Sequence, residues 1–156
     1  MNTPKKFRVW LPSLNKFGDD DSVLMDCYGK LYGVTRPSLL DGSRSIVNIG
    51  QFKELDGYTI QWYTELKDKN GVEIYEGDIL QSTITNTFYQ VKHGWYRQYE
   101  ELELENGKIH TFNYSHIGFF VEYNENGEDC EGTLAIRNSN SVVVGNIFEH
   151  KHLLEK

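Results

Sequence analysis

A chain of 156 residues with a formal charge of −7 has the size of one domain and can bury a self-sufficient core without disulfides or metals. Its Leu, Ile, Val and Phe content lies above the roughly 20% that marks disorder, and no apolar run approaches the ~18 residues of a membrane span. The start, MNTPKKFRVW, lacks the apolar stretch of a signal peptide, so the expectation is a globular cytoplasmic protein without a membrane partner.

Ten tyrosines and eight phenylalanines stand against a single alanine, Ala135, which favours strands over helices. The first predicted strand is Phe7 to Leu11. After an exposed loop at Asp19-Asp20-Asp21 come Val23 to Tyr28, Lys30 to Thr35 and Ser45 to Gly50, with a short helix over Pro37 to Leu40. Thr59 to Leu66, Ile79 to Thr83, Phe88 to His93, Trp95 to Leu104, Ile109 to Tyr114 and Ile117 to Tyr123 follow, and their one-sided alternation predicts one wet face. Tyr96 to Glu105 fits neither the helical nor the strand period well. Leu134 to Arg137 and Val142 to Ile147 are the last predicted strands, before a helix over Glu149 to Glu155.

Turns fall at Asp41-Gly42, Asp56-Gly57, Asn70-Gly71, Asn106-Gly107 and Asn126-Gly127, pairs suited to type I′ and related hairpins. The fold class that follows is mainly β. A small antiparallel β-barrel, with an SH3-like form among the arrangements that fit, carries a β-rich N-terminal extension and a short C-terminal helix. A single domain over 1–156 is expected, and a boundary near Gly50 to Gly57 divides it, if anywhere, into 1–56 and a barrel part 57–156.

Within KDKNGVEIYEGD, Asn70 and Gly71 supply the positive φ angles of a tight turn. Lys67, Asp68 and Lys69 keep its tip hydrated, and Ile74 and Tyr75 anchor the returning chain. Gly77 lets it bend, and Asp78 bonds backbone amides in an Asx-type turn. A competing reading takes Glu73, Glu76 and Asp78 as a cation site or an acid and base pair. Successive side chains on a strand diverge, which disfavours convergent ligation.

Three segments, Lys5-Lys6-Phe7-Arg8-Val9-Trp10, Gln61 to Leu80 and Val143-Val144-Gly145-Asn146-Ile147-Phe148-Glu149, together resemble the YopX family of phage and prophage proteins. The family pattern reads Phe-Arg-x-Trp, then Tyr-Thr-Gly-Leu-Lys-Asp-Lys-Asn-Gly-x-x-Ile-Tyr-Glu-Gly-Asp-Ile, then Gly-Asn-Ile-Tyr-Glu. Glu65 stands where the family usually has Gly, and His150-Lys151-His152 replaces the more usual Asn-Pro-Glu. The resemblance marks Trp10, Asp68, Asn70, Gly71, Tyr75, Gly77, Asp78, Gly145 and Asn146 as structural motif positions, and implies a phage or prophage accessory protein. It transfers no catalytic residue.

The sequence contains no phosphate-binding loop, dinucleotide fingerprint or nucleophile elbow, and its histidines lack a ligand-bearing spacing. His110 and His116 fall in neighbouring predicted strands, where they can face each other. Cys27 and Cys130 are isolated in acidic surroundings that disfavour a thiolate. No catalytic residue, metal or cofactor is therefore implied, and an enzyme is not expected. The aromatic run through Phe88, Tyr89, Trp95, Tyr96, Tyr99, Phe112, Tyr114, Phe119, Phe120 and Tyr123 should be mostly core. Trp95, Tyr96 and Tyr99 are the candidate interface, because Tyr and Trp serve as anchors between proteins. The expected function is a non-catalytic module that forms a homo-oligomer and binds a host or phage protein. The alternative is a β-barrel that binds single-stranded nucleic acid, against which stand the net charge and Glu100, Glu101, Glu103 and Glu105. A third reading has Glu100 to Glu105 and Glu122 to Glu131 imitate a DNA backbone; a solvated acidic face is the simpler account.

Overall fold

A computed structural model describes residues 6–18, 23–25, 30–34, 52–54, 57–104, 106–125 and 127–155. The predicted strand Ser45 to Gly50, the helix Pro37 to Leu40, the loop at Asp19 to Asp21 and the turn at Asp41-Gly42 lie outside the described residues. The chain divides into two compact units, Met1–Gln61 and Trp62–Lys156.

In the first unit, β1 (Phe7–Leu11) turns through a 3-10 segment, Pro12–Leu14, into the two-residue strand β2 (Lys16–Phe17). Asn15 takes φ +49° at the exit, a conformation its short polar side chain tolerates. Trp10 pairs with Phe17, and their rings meet edge to face at 5.0 Å. The Arg8 guanidinium lies 4.4 Å from the Phe17 ring centre, and its Nε donates to Gln61 Oε1 at 2.7 Å. Trp10 of the family motif is thus a buried anchor. A separate antiparallel sheet contains β3 (Val23–Met25), β4 (Leu31–Val34) and β5 (Phe52–Glu54) in that order.

The second unit begins inside β6 (Thr59–Lys67) and continues through β7 (Glu73–Tyr75), β8 (Asp78–Ser82), β9 (Phe88–Glu103), β10 (Ile109–Glu125), β11 (Glu128–Thr133), α1 (Leu134–Arg137) and β12 (Ser141–Asn146). Five strands form an antiparallel sheet of order β11-β10-β9-β8-β12, curled into a half-barrel. Its concave core is Ile74, Leu80, Tyr89, Val91, Val121 and Leu134, with Leu66, Phe119, Tyr123 and Val143 packed against them. Burying each such side chain stabilises the fold by about 1.5–3 kcal/mol.

Several predicted elements change. Phe88 to His93 and Trp95 to Leu104 are one strand, as are Ile109 to Tyr114 and Ile117 to Tyr123. Gly94, which fell between two predicted strands, and Gly118, which lay inside one, are cross-strand partners with φ +152° and +156°. Only glycine takes such angles freely, so the ladder bends there without ending. Leu134 to Arg137 is a single α-turn rather than a strand: it contains the chain's lone alanine and seats Leu134 in the core, and Leu and Ala are the best helix formers. The closing helix is a 3-10 turn, Lys151–Leu154.

Candidate functional site

The central motif forms the β6–β7 hairpin. Of Asn70 and Gly71 only Gly71 takes a positive φ, +83°, so the loop is not a two-residue type I′ turn. Asp68 N donates to Val72 O at 2.8 Å and Gly71 N to Asp68 O at 3.0 Å, which describes a turn closed by a glycine bulge. Asp68 is buried rather than hydrated at the tip. Its Oδ1 accepts from Asn70 N at 2.8 Å and Val72 N at 2.9 Å, and its Oδ2 accepts from Val143 N at 2.9 Å. One carboxylate therefore closes the turn and fastens it to β12.

Asp78 is fully buried, and its Oδ2 accepts from Tyr75 N at 2.8 Å. Tyr75 Oη donates to Glu73 Oε2 at 2.9 Å, and its ring packs on Tyr63 at 5.4 Å. Gly77, at φ +78°, donates to Val91 O at 2.8 Å and accepts from Ile147 N at 2.9 Å. Asn146 Oδ1 accepts from Phe148 N at 2.9 Å and Glu149 N at 3.1 Å, while its Nδ2 donates to Glu149 Oε2 at 2.6 Å. At Gly145 a Cβ would meet the His150 side chain at 2.6–2.8 Å, so only glycine fits. Glu65, in the family's glycine position, sits at φ +66° on the β6 bulge between Tyr63 and Lys67. Asp68 and Asp78 thus hold backbone, and no group of three or more His, Cys, Asp or Glu side chains among the described residues could hold a metal ion.

Beyond the Gly94–Gly118 pair, β9 and β10 leave the core as a two-stranded arm. The tip repeats the bulged turn of the central hairpin: Leu104 N donates to Lys108 O and Gly107 N to Leu104 O, both at 2.8 Å. Register places Trp95 with Ile117 and Glu103 with Ile109 on one face, and Leu102 with His110 and Glu100 with Phe112 on the other. Both faces expose apolar side chains: Trp95 is 71% exposed, Ile117 65%, Ile109 62% and Tyr99 60% on the first, and Leu102 55% and Phe112 42% on the second. The expectation of one wet face fails here, because the arm has no second layer and presents apolar side chains on both sides.

Rings line one face at strand spacing. His110, Phe112, Tyr114 and His116 are 6.0–6.5 Å apart in succession, and His116 stacks on Tyr96, which stacks on Phe120. Tyr96 is buried by these contacts, unlike Trp95 and Tyr99. His110 and His116 share β10, about 20 Å apart by strand rise, and do not face each other. The sequence reading missed Ile109, Ile117 and Leu102 as exposed groups; the glycines at matched positions in two adjoining segments were the available signal.

The root of the arm is tied to β11. Arg97 N donates to Glu131 Oε2 at 2.7 Å and Thr133 Oγ1 to Gln98 Oε1 at 3.1 Å. Between them opens a groove of about 1060 Å³ lined by Trp95, Tyr99, Tyr123, Glu128, Glu131 and Arg137 among others. Arg137 Nη2 donates to Tyr123 Oη at 3.3 Å. Burial pushes the Tyr123 hydroxyl above its ordinary range, with Arg137 opposing. The Lys92 ammonium is paired with Glu122 at 2.6 Å. Cys130 is a free, half-buried thiol, and Cys27 lies outside the described residues. No helix among the described residues is long and apolar enough to cross a membrane.

No curated protein matches the chain. The family model described as YopX protein matches residues 6–155, spanning both units and the motif positions whose geometry is given above. The chain belongs to the YopX protein family.

Proposed function

We propose that this protein is a non-catalytic accessory protein of a phage or prophage that acts in the cytoplasm of the bacterial host as an oligomeric protein-interaction module. Its binding element is the β9–β10 arm. The observation that supports the reading is the exposure of Trp95, Tyr99, Ile109 and Ile117 at 60–71% on a two-stranded ribbon. Isolated hairpins are marginal in water, and large exposed apolar surface marks a contact site. Glu100, Glu101 and Glu103 on the same arm repel phosphates, which favours a protein ligand over nucleic acid.

The test is affinity capture of the tagged protein from its host, with and without nuclease, beside a Trp95→Ser, Ile117→Ser variant. A nuclease-resistant protein partner that the variant loses supports the module. Recovery of nucleic acid, with capture that weakens steeply in salt, overturns it in favour of a strand-binding barrel.

A further inference from the structure

We infer that the free edge of β10 is occupied by a second copy of this chain, joined antiparallel about a two-fold axis through Asn113. This rests on the reading of the arm as a binding element and names its occupant. On one side β10 pairs with β9 from Ile109 to Glu122; on the other, β11 pairs only from Phe120 to Glu125. Among the described residues, then, no strand pairs the outer edge from Ile109 to Phe119. Every residue from Ile109 to Ile117 is exposed. Such an edge is a template for another strand.

The residues on that edge select the partner. Ile109-His110-Thr111-Phe112-Asn113-Tyr114-Ser115-His116-Ile117 reads the same, in chemical type, from either end. An isologous contact sets residue i opposite residue j of the second copy and j opposite i, so only the residue on the axis meets its own counterpart. Antiparallel pairing centred on Asn113 sets Ile109 opposite Ile117 of the second copy, His110 opposite His116, Thr111 opposite Ser115, and Phe112 opposite Tyr114. Each combination occurs twice. Aromatic, β-branched and hydroxyl pairs are the cross-strand combinations that stabilise sheets. The nine residues contain no carboxylate and no Lys or Arg, and Glu100, Glu101 and Glu103 lie on β9, away from the seam. The outer edge of β9 is the poorer candidate, because Arg97 N is already bonded to Glu131. The product is a sheet continuous through β9, β10 and their two symmetry copies.

The register makes a sharp test in full-length protein carrying Cys27→Ser and Cys130→Ser. Asn113→Cys puts two thiols directly opposite, with Cα atoms about 4.5–5.5 Å apart, within disulfide reach. Thr111→Cys alone leaves its symmetry mate about 13 Å away. Expected are a dimer in sedimentation, a covalent dimer from Asn113→Cys on mild oxidation, none from Thr111→Cys alone, and a crosslink when Thr111→Cys and Ser115→Cys proteins are mixed. Phe112→Lys, at an exposed position, should weaken the dimer at least about tenfold, since it acts twice. A dimer without the Asn113→Cys crosslink overturns this seam. A monomer that still captures a host protein through the arm overturns the second copy as occupant while the interaction module stands. A monomer that captures nothing overturns both.

Discussion

The central hairpin and the β9–β10 arm end in the same bulged turn yet invert each other's polarity. Around the hairpin, carboxylates go inside: Asp68 and Asp78 are buried and bonded to backbone amides. Along the arm, apolar groups go outside: Trp95, Tyr99, Ile109 and Ile117 are exposed. A buried charge persists only where hydrogen bonds replace its water, so the hairpin's polar residues serve the fold itself. Exposed apolar area gains nothing for an isolated chain, which is why the arm is proposed as the contact element.

The sharpest way to break this contrast is Asp68→Ala, which strips the acceptor from the Asn70, Val72 and Val143 amides. A loss of about 3 kcal/mol or more is expected, read from urea unfolding. Gly145→Ala should cost about 2 kcal/mol through its clash with His150. Adding His150→Ala should recover more than half, because the clash is with that side chain. Glu65→Gly should stabilise by roughly 0.5–1 kcal/mol, as relief of the φ +66° strain exceeds the entropy glycine adds; a rise in the thermal midpoint checks it. Smallest of all, Trp95→Ser with Ile109→Thr should change unfolding of the dilute protein by no more than about 0.5 kcal/mol. A larger loss would place those side chains in the fold, and the contrast between the two regions would disappear.

The elements legible in the sequence were those whose pattern is local. Phe7–Leu11 coincides with its predicted strand, and Val142 to Ile147 with Ser141–Asn146 to within a residue. The turn glycines were legible because positive φ needs them. β11, Glu-Asp-Cys-Glu-Gly-Thr, reads for the most part as solvated acidic surface and is a strand only because β10 pairs with it, a tertiary effect that overrides propensity. β2, β5 and β7 are too short for a period to emerge. At the candidate site Trp95 and Tyr99 were nameable as anchors, but their exposure was not. Alternation says which residues share a face, and whether anything covers that face is decided by layers distant in sequence. Asp68 was legible as a turn residue; its bond to Val143 was not.

That last bond spans 75 residues and fixes an order of events. The β9–β10 ladder joins neighbouring segments and forms on short loop closure, whereas Asp68 lacks its third amide until Val143 is available. During synthesis both strands of the arm leave the ribosome before Val143 does, so they emerge ahead of β12, the edge strand that completes their sheet. Asp68 holds only the two amides of its own turn until then, which makes the last strand of the sheet the one that locks the central hairpin.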